Sequence, residues 1–153
     1  MYSKFGQFID GKWQPSEKNE TYEVINPATE EVIGNASKAT PADVEKALKS
    51  AEKGFAIWKK TQPWQRASII RKIADLIRKK NDVLAKWLTL EVGKPLAEGA
   101  GEVNGAADIF EWNAEETKRI YGQTVESRFE NTRIIINYEP VGVVAALSPW
   151  NFP

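Results

Sequence analysis

At 153 residues the chain has the length of one ordinary domain, and its 42% hydrophobic and 27% charged residues are typical of soluble globular proteins. Its 21 Lys and Arg residues balance its 21 Asp and Glu residues, so the net charge gives no case for a nucleic acid or an anionic membrane as partner. The absence of cysteine and histidine excludes disulfides, thiolate metal sites and cysteine nucleophiles within these residues, and we predict no metal site.

The first seven residues lack the apolar stretch of a signal peptide. No run of about 18 apolar residues occurs anywhere in the chain, so we predict no membrane span. The sequence therefore predicts a cytoplasmic protein.

Short strands are predicted before residue 40. Asp10 and Gly11 lie between apolar flanks, a pattern typical of a tight hairpin because glycine accepts positive φ at low cost. Residues 22–25 and 31–34 flank a turn that begins with Asn26 and predict a second pair of strands. Together these strands form an arm.

Four helices follow. Thr40 and Asp43 have the spacing of a capping box, which satisfies amide donors that the first turn of a helix leaves unpaired. A second helix begins near Pro63, a third ends at Gly93, and a long fourth covers about 96–120. We predict a helical layer.

The fourth helix begins with closely spaced glycines, Gly99, Gly101 and Gly105, which invite comparison with a dinucleotide-binding motif. The third glycine comes one position late, and the segment follows no strand. Close packing between helices is the better interpretation.

Charged residues on the second and fourth helices suit solvent-facing sides. We expect Arg71 and Arg78 to lie on the solvent-exposed face of the second helix. Glu111 and Glu115 on the fourth helix could in principle form a carboxylate pair for acid–base chemistry, but pairing with Lys118 and its neighbours on a solvated face is the better interpretation.

The periodicity changes to that of strands after residue 122. Residues 124–129 and 132–138 predict a hairpin with Glu130 and Asn131 as a two-residue turn. Residues 141–147 are almost all apolar without alternation, as in a strand covered on both faces of a parallel sheet. One such strand cannot form a sheet alone, so the pattern is incomplete.

Candidate chemistry lies just after this apolar segment, because open α/β sheets bind ligands beyond the carboxyl ends of their strands. Pro149 and Pro153 stiffen the backbone around Trp150 and Asn151. Asn151 offers an amide donor for a developing oxyanion, and Trp150 offers a flat apolar wall. A turn that only ends a strand is the alternative.

Several collinear motifs resemble the aldehyde dehydrogenase superfamily. They are Asn-Pro-Ala-Thr at 26–29, Glu-Val-Gly-Lys-Pro at 91–95, Glu-Pro-Val-Gly-Val-Val at 139–144 and Pro-Trp-Asn-Phe-Pro at 149–153. Glu-Trp-Asn-Ala-Glu-Glu at 111–116 with Lys-Arg-Ile-Tyr-Gly at 118–122 is similar to the succinate-semialdehyde dehydrogenase branch. The resemblance covers essentially the whole chain.

The resemblance implies that a cysteine thiolate attacks a small-molecule aldehyde, that hydride passes to NAD or NADP, and that a glutamate activates water to release the acid. Asn151 matches the family's oxyanion donor, and Ser148, Pro149, Trp150 and Asn151 match positions beside the cofactor. The family's cysteine and general-base glutamate are absent here, so the chain alone is expected to be inactive.

We therefore predict an α/β chain that is the amino-terminal, incomplete part of an aldehyde dehydrogenase-like fold. Residues 1–122 form the strand arm and helical layer of the cofactor-binding domain, 123–139 a protruding hairpin, and 140–153 the first strand and turn of a doubly wound parallel sheet. The partners implied are the remainder of the same fold and a second copy bound through the 124–138 hairpin, which resembles the family's oligomerisation arm.

Three alternatives remain. The hairpin can be an ordinary surface feature. The chain can be a short non-enzymatic protein that associates with a full-length subunit. It can also be a self-contained helical binding module.

Overall fold

The computed structural model describes residues 6–153, in which three two-stranded antiparallel sheets and four helices follow one another. The prediction of a chain without a signal peptide falls largely on residues 1–5, outside the described part. The strands are β1 (Gln7–Ile9), β2 (Lys12–Gln14), β3 (Thr21–Ile25), β4 (Val32–Ser37), β5 (Gln123–Glu126) and β6 (Arg133–Ile136). The helices are α1 (Pro41–Trp58), α2 (Pro63–Lys79), α3 (Asn81–Val92) and α4 (Leu96–Glu116).

The β1–β2 hairpin confirms the prediction made from Asp10 and Gly11. Both residues have positive φ, 55° and 75°, as a two-residue turn of the type I′ family requires. Phe8 pairs with Trp13 across the ladder, and their ring centroids lie 5.1 Å apart. This aromatic pair stabilises a sheet that has few other contacts.

The turn between β3 and β4 docks on the end of α3. Asn26 is buried, and its side-chain oxygen accepts a hydrogen bond from the Ala28 amide at 2.9 Å. Gly93 ends α3 with a φ of 73°, and a Cβ there would lie 3.0 Å from Cγ of Pro27. Glycine is therefore needed both for the left-handed helix end and for the close approach of the arm.

The predicted capping box at the start of α1 is present, and its Asp43 side chain also bonds to the arm, which the sequence did not predict. The Asp43 carboxylate accepts hydrogen bonds from the backbone and hydroxyl of Thr40, both at 2.9 Å. It also accepts from the Glu17 amide at 3.1 and 3.2 Å, which ties α1 to the arm. The Thr40 backbone hydrogen bond is the main reason that the pKa of Asp43 falls to about 2.

Helix α4 packs against α2 and α3 through small side chains. Within residues 6–153 no large side chain is fully buried. At Gly99 a Cβ would lie only 3.1 Å from the Ala85 carbonyl oxygen of α3, so the packing interpretation holds there. It is wrong for Gly101 and Gly105, where a Cβ would meet nothing within 4 Å. The buried residues of this layer are Ala67, Ala74, Ala85, Gly99, Val103, Ala107 and Ala114.

Ion pairs join α2 and α4 beside this core. Arg71 pairs with Glu111 at 2.9 Å and also with Glu115, while Arg78 lies 2.6 Å from Asp108 and from Glu111. Asp108 and then Glu111 raise the pKa of Arg78 above its ordinary value. The prediction that these arginines simply face solvent was incomplete, because a pattern within one helix does not reveal carboxylates on another.

The carboxyl-terminal part differs most from the predicted boundaries. Helix α4 ends at Glu116 instead of near residue 120. Residues 127–132 connect β5 to β6, so the predicted two-residue turn is wrong. The Ser127 hydroxyl accepts a hydrogen bond from the Phe129 amide at 3.0 Å, a local turn that takes these residues out of the ladder.

The apolar segment 141–147 pairs with no strand in the part of the chain that the structure describes, so it is not a β-strand here. A strand needs a hydrogen-bonded neighbour, and β1 to β6 pair only within their own hairpins. Val141 and Leu147 are 93% and 94% exposed. No helix within residues 6–153 has both the length and the apolar character needed to cross a membrane.

Candidate functional site

The four predicted site residues are exposed and follow the apolar segment directly, with Pro149, Trp150 and Asn151 in one turn and Ser148 just before it. The Phe152 amide donates a hydrogen bond to the Pro149 carbonyl at 3.2 Å, which places Trp150 and Asn151 at the centre of the turn. Proline fixes φ at 149, and Pro153 restricts the backbone of Phe152. The rigid turn expected from the two prolines is therefore present.

Both central side chains of this turn face solvent. The Trp150 residue is 83% exposed, and Asn151 and Ser148 are also exposed. Within residues 6–153 the Asn151 carboxamide makes no hydrogen bond, so its N–H donors are available to a ligand. The catalytic and cofactor-binding roles assigned to these residues remain predictions.

Lys94 contacts this turn, and no sequence pattern predicts the contact. Its Nζ donates a hydrogen bond to the Asn151 carbonyl oxygen at 2.9 Å and lies 4.2 Å from the centre of the Phe152 ring. The same ammonium forms an ion pair with Glu102 of α4. The side chains of Lys94 and Glu102 are only 13% and 18% exposed, so water screens this pair weakly.

Pro153 borders an apolar cleft of about 270 Å³ in the helical layer. Glu91 and Glu102 stand at the cleft, and burial raises the pKa of the Glu91 carboxyl. The apolar lining residues are Ile77, Leu84, Trp87, Leu88, Val103 and Ala106. The end of the turn thus borders a cleft formed by α2, α3 and α4, while Trp150 and Asn151 are exposed to solvent.

This arrangement offers a neutral hydrogen-bond donor beside a flat aromatic surface. An asparagine cannot act as a base or nucleophile, but it can stabilise negative charge that develops on an oxygen atom. Among residues 6–153, no group of three or more acidic side chains is placed to hold a metal ion.

Comparison with known proteins gives a consistent result. The sequence profile of the aldehyde dehydrogenase family matches residues 13–153. The chain is 42% identical over 146 residues to glutarate-semialdehyde dehydrogenase of Pseudomonas aeruginosa, a match that covers 95% of the chain and 30% of that protein. It is 39% identical over 145 residues to the NADP⁺ succinate-semialdehyde dehydrogenase of Escherichia coli, with the same two coverages, 95% and 30%.

The fold agrees with this similarity. Betaine aldehyde dehydrogenase from Staphylococcus aureus, solved in complex with NAD⁺, superposes with a TM-score of 0.91 at 34% identity. That match covers 99% of the chain and 30% of the solved protein. The chain therefore spans about 30% of the length of these relatives.

Proposed function

The chain belongs to the aldehyde dehydrogenase family, and we propose that its turn at 148–153 forms the oxyanion-binding side of an enzyme that oxidises an aldehyde to a carboxylic acid with NAD⁺ or NADP⁺. Because the chain spans about 30% of its relatives, the activity is assigned to a longer protein that carries it. In that protein 1–122 serves as arm and helical layer, 123–139 as hairpin, and 140–153 as first strand and turn of the nucleotide-binding sheet.

The available carboxamide of Asn151 is the observation that carries this proposal. The residue sits at the centre of a proline-framed turn, and its backbone is held by Lys94 while its side chain makes no hydrogen bond within residues 6–153. A donor fixed before the reaction stabilises an oxyanion without reorganisation. Asn151 would therefore donate to the aldehyde oxygen as a thiolate from the rest of the enzyme attacks the carbonyl carbon.

Ser148, Pro149 and Trp150 fit the neighbourhood of a nicotinamide cofactor. They are consecutive and exposed at the start of the turn, and the Trp150 indole offers a flat wall for a planar ring. When bound, the cofactor supplies the hydride acceptor. This chain's residues would orient it and leave the adjacent Asn151 amide directed at the substrate oxygen.

The proposed substrate class is a semialdehyde of a short dicarboxylic acid. Relatives at 42% and 39% identity are glutarate- and succinate-semialdehyde dehydrogenases. The exposed turn itself presents only neutral groups, so we assign recognition of the substrate carboxylate to other parts of the enzyme.

The decisive experiment replaces Asn151 in the complete enzyme that carries this chain. Asn151→Ala should lower kcat by roughly 10²–10³, with a much smaller change in KM, because the lost interaction forms only as charge develops. Asn151→Asp retains the shape but removes the donor, and should be at least as damaging. Asn35→Ala, at an exposed asparagine of β4, is the matched control and should leave kcat unchanged.

An unchanged kcat in Asn151→Ala would remove the oxyanion assignment. The 153-residue chain is a second control, because without cysteine it has no thiolate to attack the aldehyde. It should produce no reduced cofactor with any aldehyde. Turnover that survived purification of the chain would contradict the proposed chemistry.

The hairpin β5–β6 favours a second candidate function, association with another subunit. All residues of both strands are exposed, and Ile135 is 65% exposed. Each strand pairs only with the other within the described residues, which leaves two open edges. Edge pairing of this kind would serve a homo-oligomer, and it would also let the 153-residue chain bind a full-length subunit without catalysing a reaction.

A further inference from the structure

Lys94 occupies a restricted position between two helices. It follows Gly93, whose left-handed conformation ends α3, and it precedes Pro95, which stands at the start of α4. A Cβ added at Gly93 would lie 3.0 Å from Cγ of Pro27, so the arm approaches this point of the backbone closely. The backbone that carries the ammonium therefore lies between a helix end, a helix start and the arm.

The side chain of Lys94 has three kinds of contact. It pairs with the Glu102 carboxylate, donates to the Asn151 carbonyl oxygen at 2.9 Å, and lies 4.2 Å from the Phe152 ring centre. An ammonium has three donors and no acceptor, so a carboxylate, a carbonyl and a ring face suit its chemistry. Because Lys94 is 13% exposed, these interactions are stronger than they would be in water.

Two of these contacts act on the residue that carries the proposed oxyanion donor and on its neighbour. The carbonyl of Asn151 is held by the ammonium, and the adjacent Phe152 amide is held by Pro149. The Asn151 carbonyl and the Phe152 amide belong to the same peptide group, which is thereby held at both its oxygen and its nitrogen. The Asn151 side chain makes no hydrogen bond within the described part of the chain. The direction of its N–H groups depends on this restrained backbone.

We propose that Lys94 is a positioning residue that aims the Asn151 carboxamide by holding its backbone carbonyl. The inference rests on the proposed function of Asn151. The Glu102 carboxylate of α4 holds the ammonium in place, so the Asn151 carbonyl accepts from a donor that is fixed between α3 and α4. Misplacement of a reacting geometry by about 1 Å can cost roughly 10²-fold in rate, which sets the scale of the expected effect.

The test uses the complete enzyme that carries this chain. Lys94→Met keeps the length of the side chain and removes its donors, and should lower kcat by roughly 10- to 100-fold with little change in KM. The matched control is Lys118→Met, since Lys118 also pairs with a glutamate and lies over an aromatic ring, with Glu115 and Trp64 as its partners. It does not contact the turn, and its replacement should leave kcat unchanged.

Loss of Lys94 alone leaves the Glu102 carboxylate without its partner, which can impair folding. The double variant Lys94→Met/Glu102→Gln removes both charges and should show the same loss of kcat per folded active site. Its crystal structure should show the turn at 149–152 displaced. An undisplaced turn with unchanged kcat would overturn the proposal.

A double-mutant cycle with Asn151→Ala separates positioning from a general structural role. If Lys94 acts through Asn151, adding Lys94→Met to Asn151→Ala should leave kcat within about twofold of Asn151→Ala alone. A full additional loss would overturn the proposal. If Asn151→Ala lowers kcat and Lys94→Met does not, this inference fails and the proposed function stands. If Asn151→Ala has no effect, the proposed function itself fails.

Discussion

A single methyl group added to α4 tests how closely the helices pack. Gly99 and Gly101 lie two residues apart in the same helix, but their surroundings differ. A Cβ at Gly99 would lie 3.1 Å from the Ala85 carbonyl oxygen and 3.6 Å from its Cα, whereas a Cβ at Gly101 would meet nothing within 4 Å. The same substitution can therefore be compared at a crowded position, in Gly99→Ala, and at an open position, in Gly101→Ala.

The expected magnitude follows from two opposing terms. In both variants the first term raises the free energy of unfolding by about 0.5–1 kcal/mol relative to the unsubstituted chain, because alanine loses less backbone entropy than glycine when a helix forms. Only Gly99→Ala must also push α3 away, because its neighbour Ala85 presents backbone atoms that cannot rotate aside. Overpacking of this kind costs about 1–3 kcal/mol. Gly101→Ala should thus be more stable than Gly99→Ala by about 1–3 kcal/mol.

Urea unfolding followed by circular dichroism measures this difference in free energy of unfolding, and thermal unfolding gives a second value. For a chain of this size about 1 kcal/mol shifts Tm by roughly 2–4 °C, so the two variants should differ by roughly 2–12 °C. Gly105→Ala, another open position, should behave like Gly101→Ala. Equal stability of Gly99→Ala and Gly101→Ala would refute the close contact between α3 and α4.

Three further predictions concern other parts of the chain. The pKa of Asp43 falls from an ordinary value of 3.8 to about 2 on folding, so its contribution to stability is present above the unfolded pKa and is lost as pH falls through the folded one. Asp43→Asn should therefore lower the free energy of unfolding at about pH 6 and have a much smaller effect near pH 2, as measured by urea unfolding. The chain should bind a hydrophobic dye because Leu147 is 94% exposed, and Leu147→Asp should reduce the fluorescence of the bound dye. Ile135→Lys on β6 should shift sedimentation towards a smaller assembly, whereas Ile109→Lys, at an equally exposed isoleucine of α4 (66% against 65%), should not.

Features that depend on residues close together in the sequence were predicted well. The Asp10–Gly11 hairpin, the Thr40–Asp43 cap and the end of α3 at Gly93 are all present in the structure. Each depends on hydrogen bonds or backbone angles within a few residues, so its cause is visible in the local sequence. The turn at Asn151 belongs to the same class, because two prolines restrict its backbone.

The boundaries of the hairpin β5–β6 were predicted poorly for a physical reason. Asn131 does have a positive φ of 56°, as its place in a predicted turn suggested. The ladder nevertheless ends at the pair Glu126 and Arg133, and residues 127–132 are taken up by local side-chain hydrogen bonds. An exposed hairpin has no buried face to select the longer ladder, so register and length are weakly specified by hydrophobic pattern.

Contacts between distant parts of the chain escaped the sequence analysis altogether. Lys94 and Asn151 are 57 residues apart, and Arg71 and Glu111 are 40 apart. A lysine beside a helix end is ordinary in sequence, and only the fold shows that its ammonium meets the turn. The turn around Asn151 was thus predictable from its own residues, while its contact with Lys94 was not.

The sequence of segment 141–147 predicts a buried strand, but the described residues neither cover the segment nor pair with it. Its apolar residues do not alternate, which is typical of a strand covered on both faces, yet Val141 and Leu147 are almost fully exposed and unpaired. Burying each such side chain contributes about 1.5–3 kcal/mol, so covering the segment would yield a substantial share of a domain's net stability. The turn with Asn151 directly follows this segment, so the packing that covers the segment would also complete the fixation of the turn that Lys94 begins.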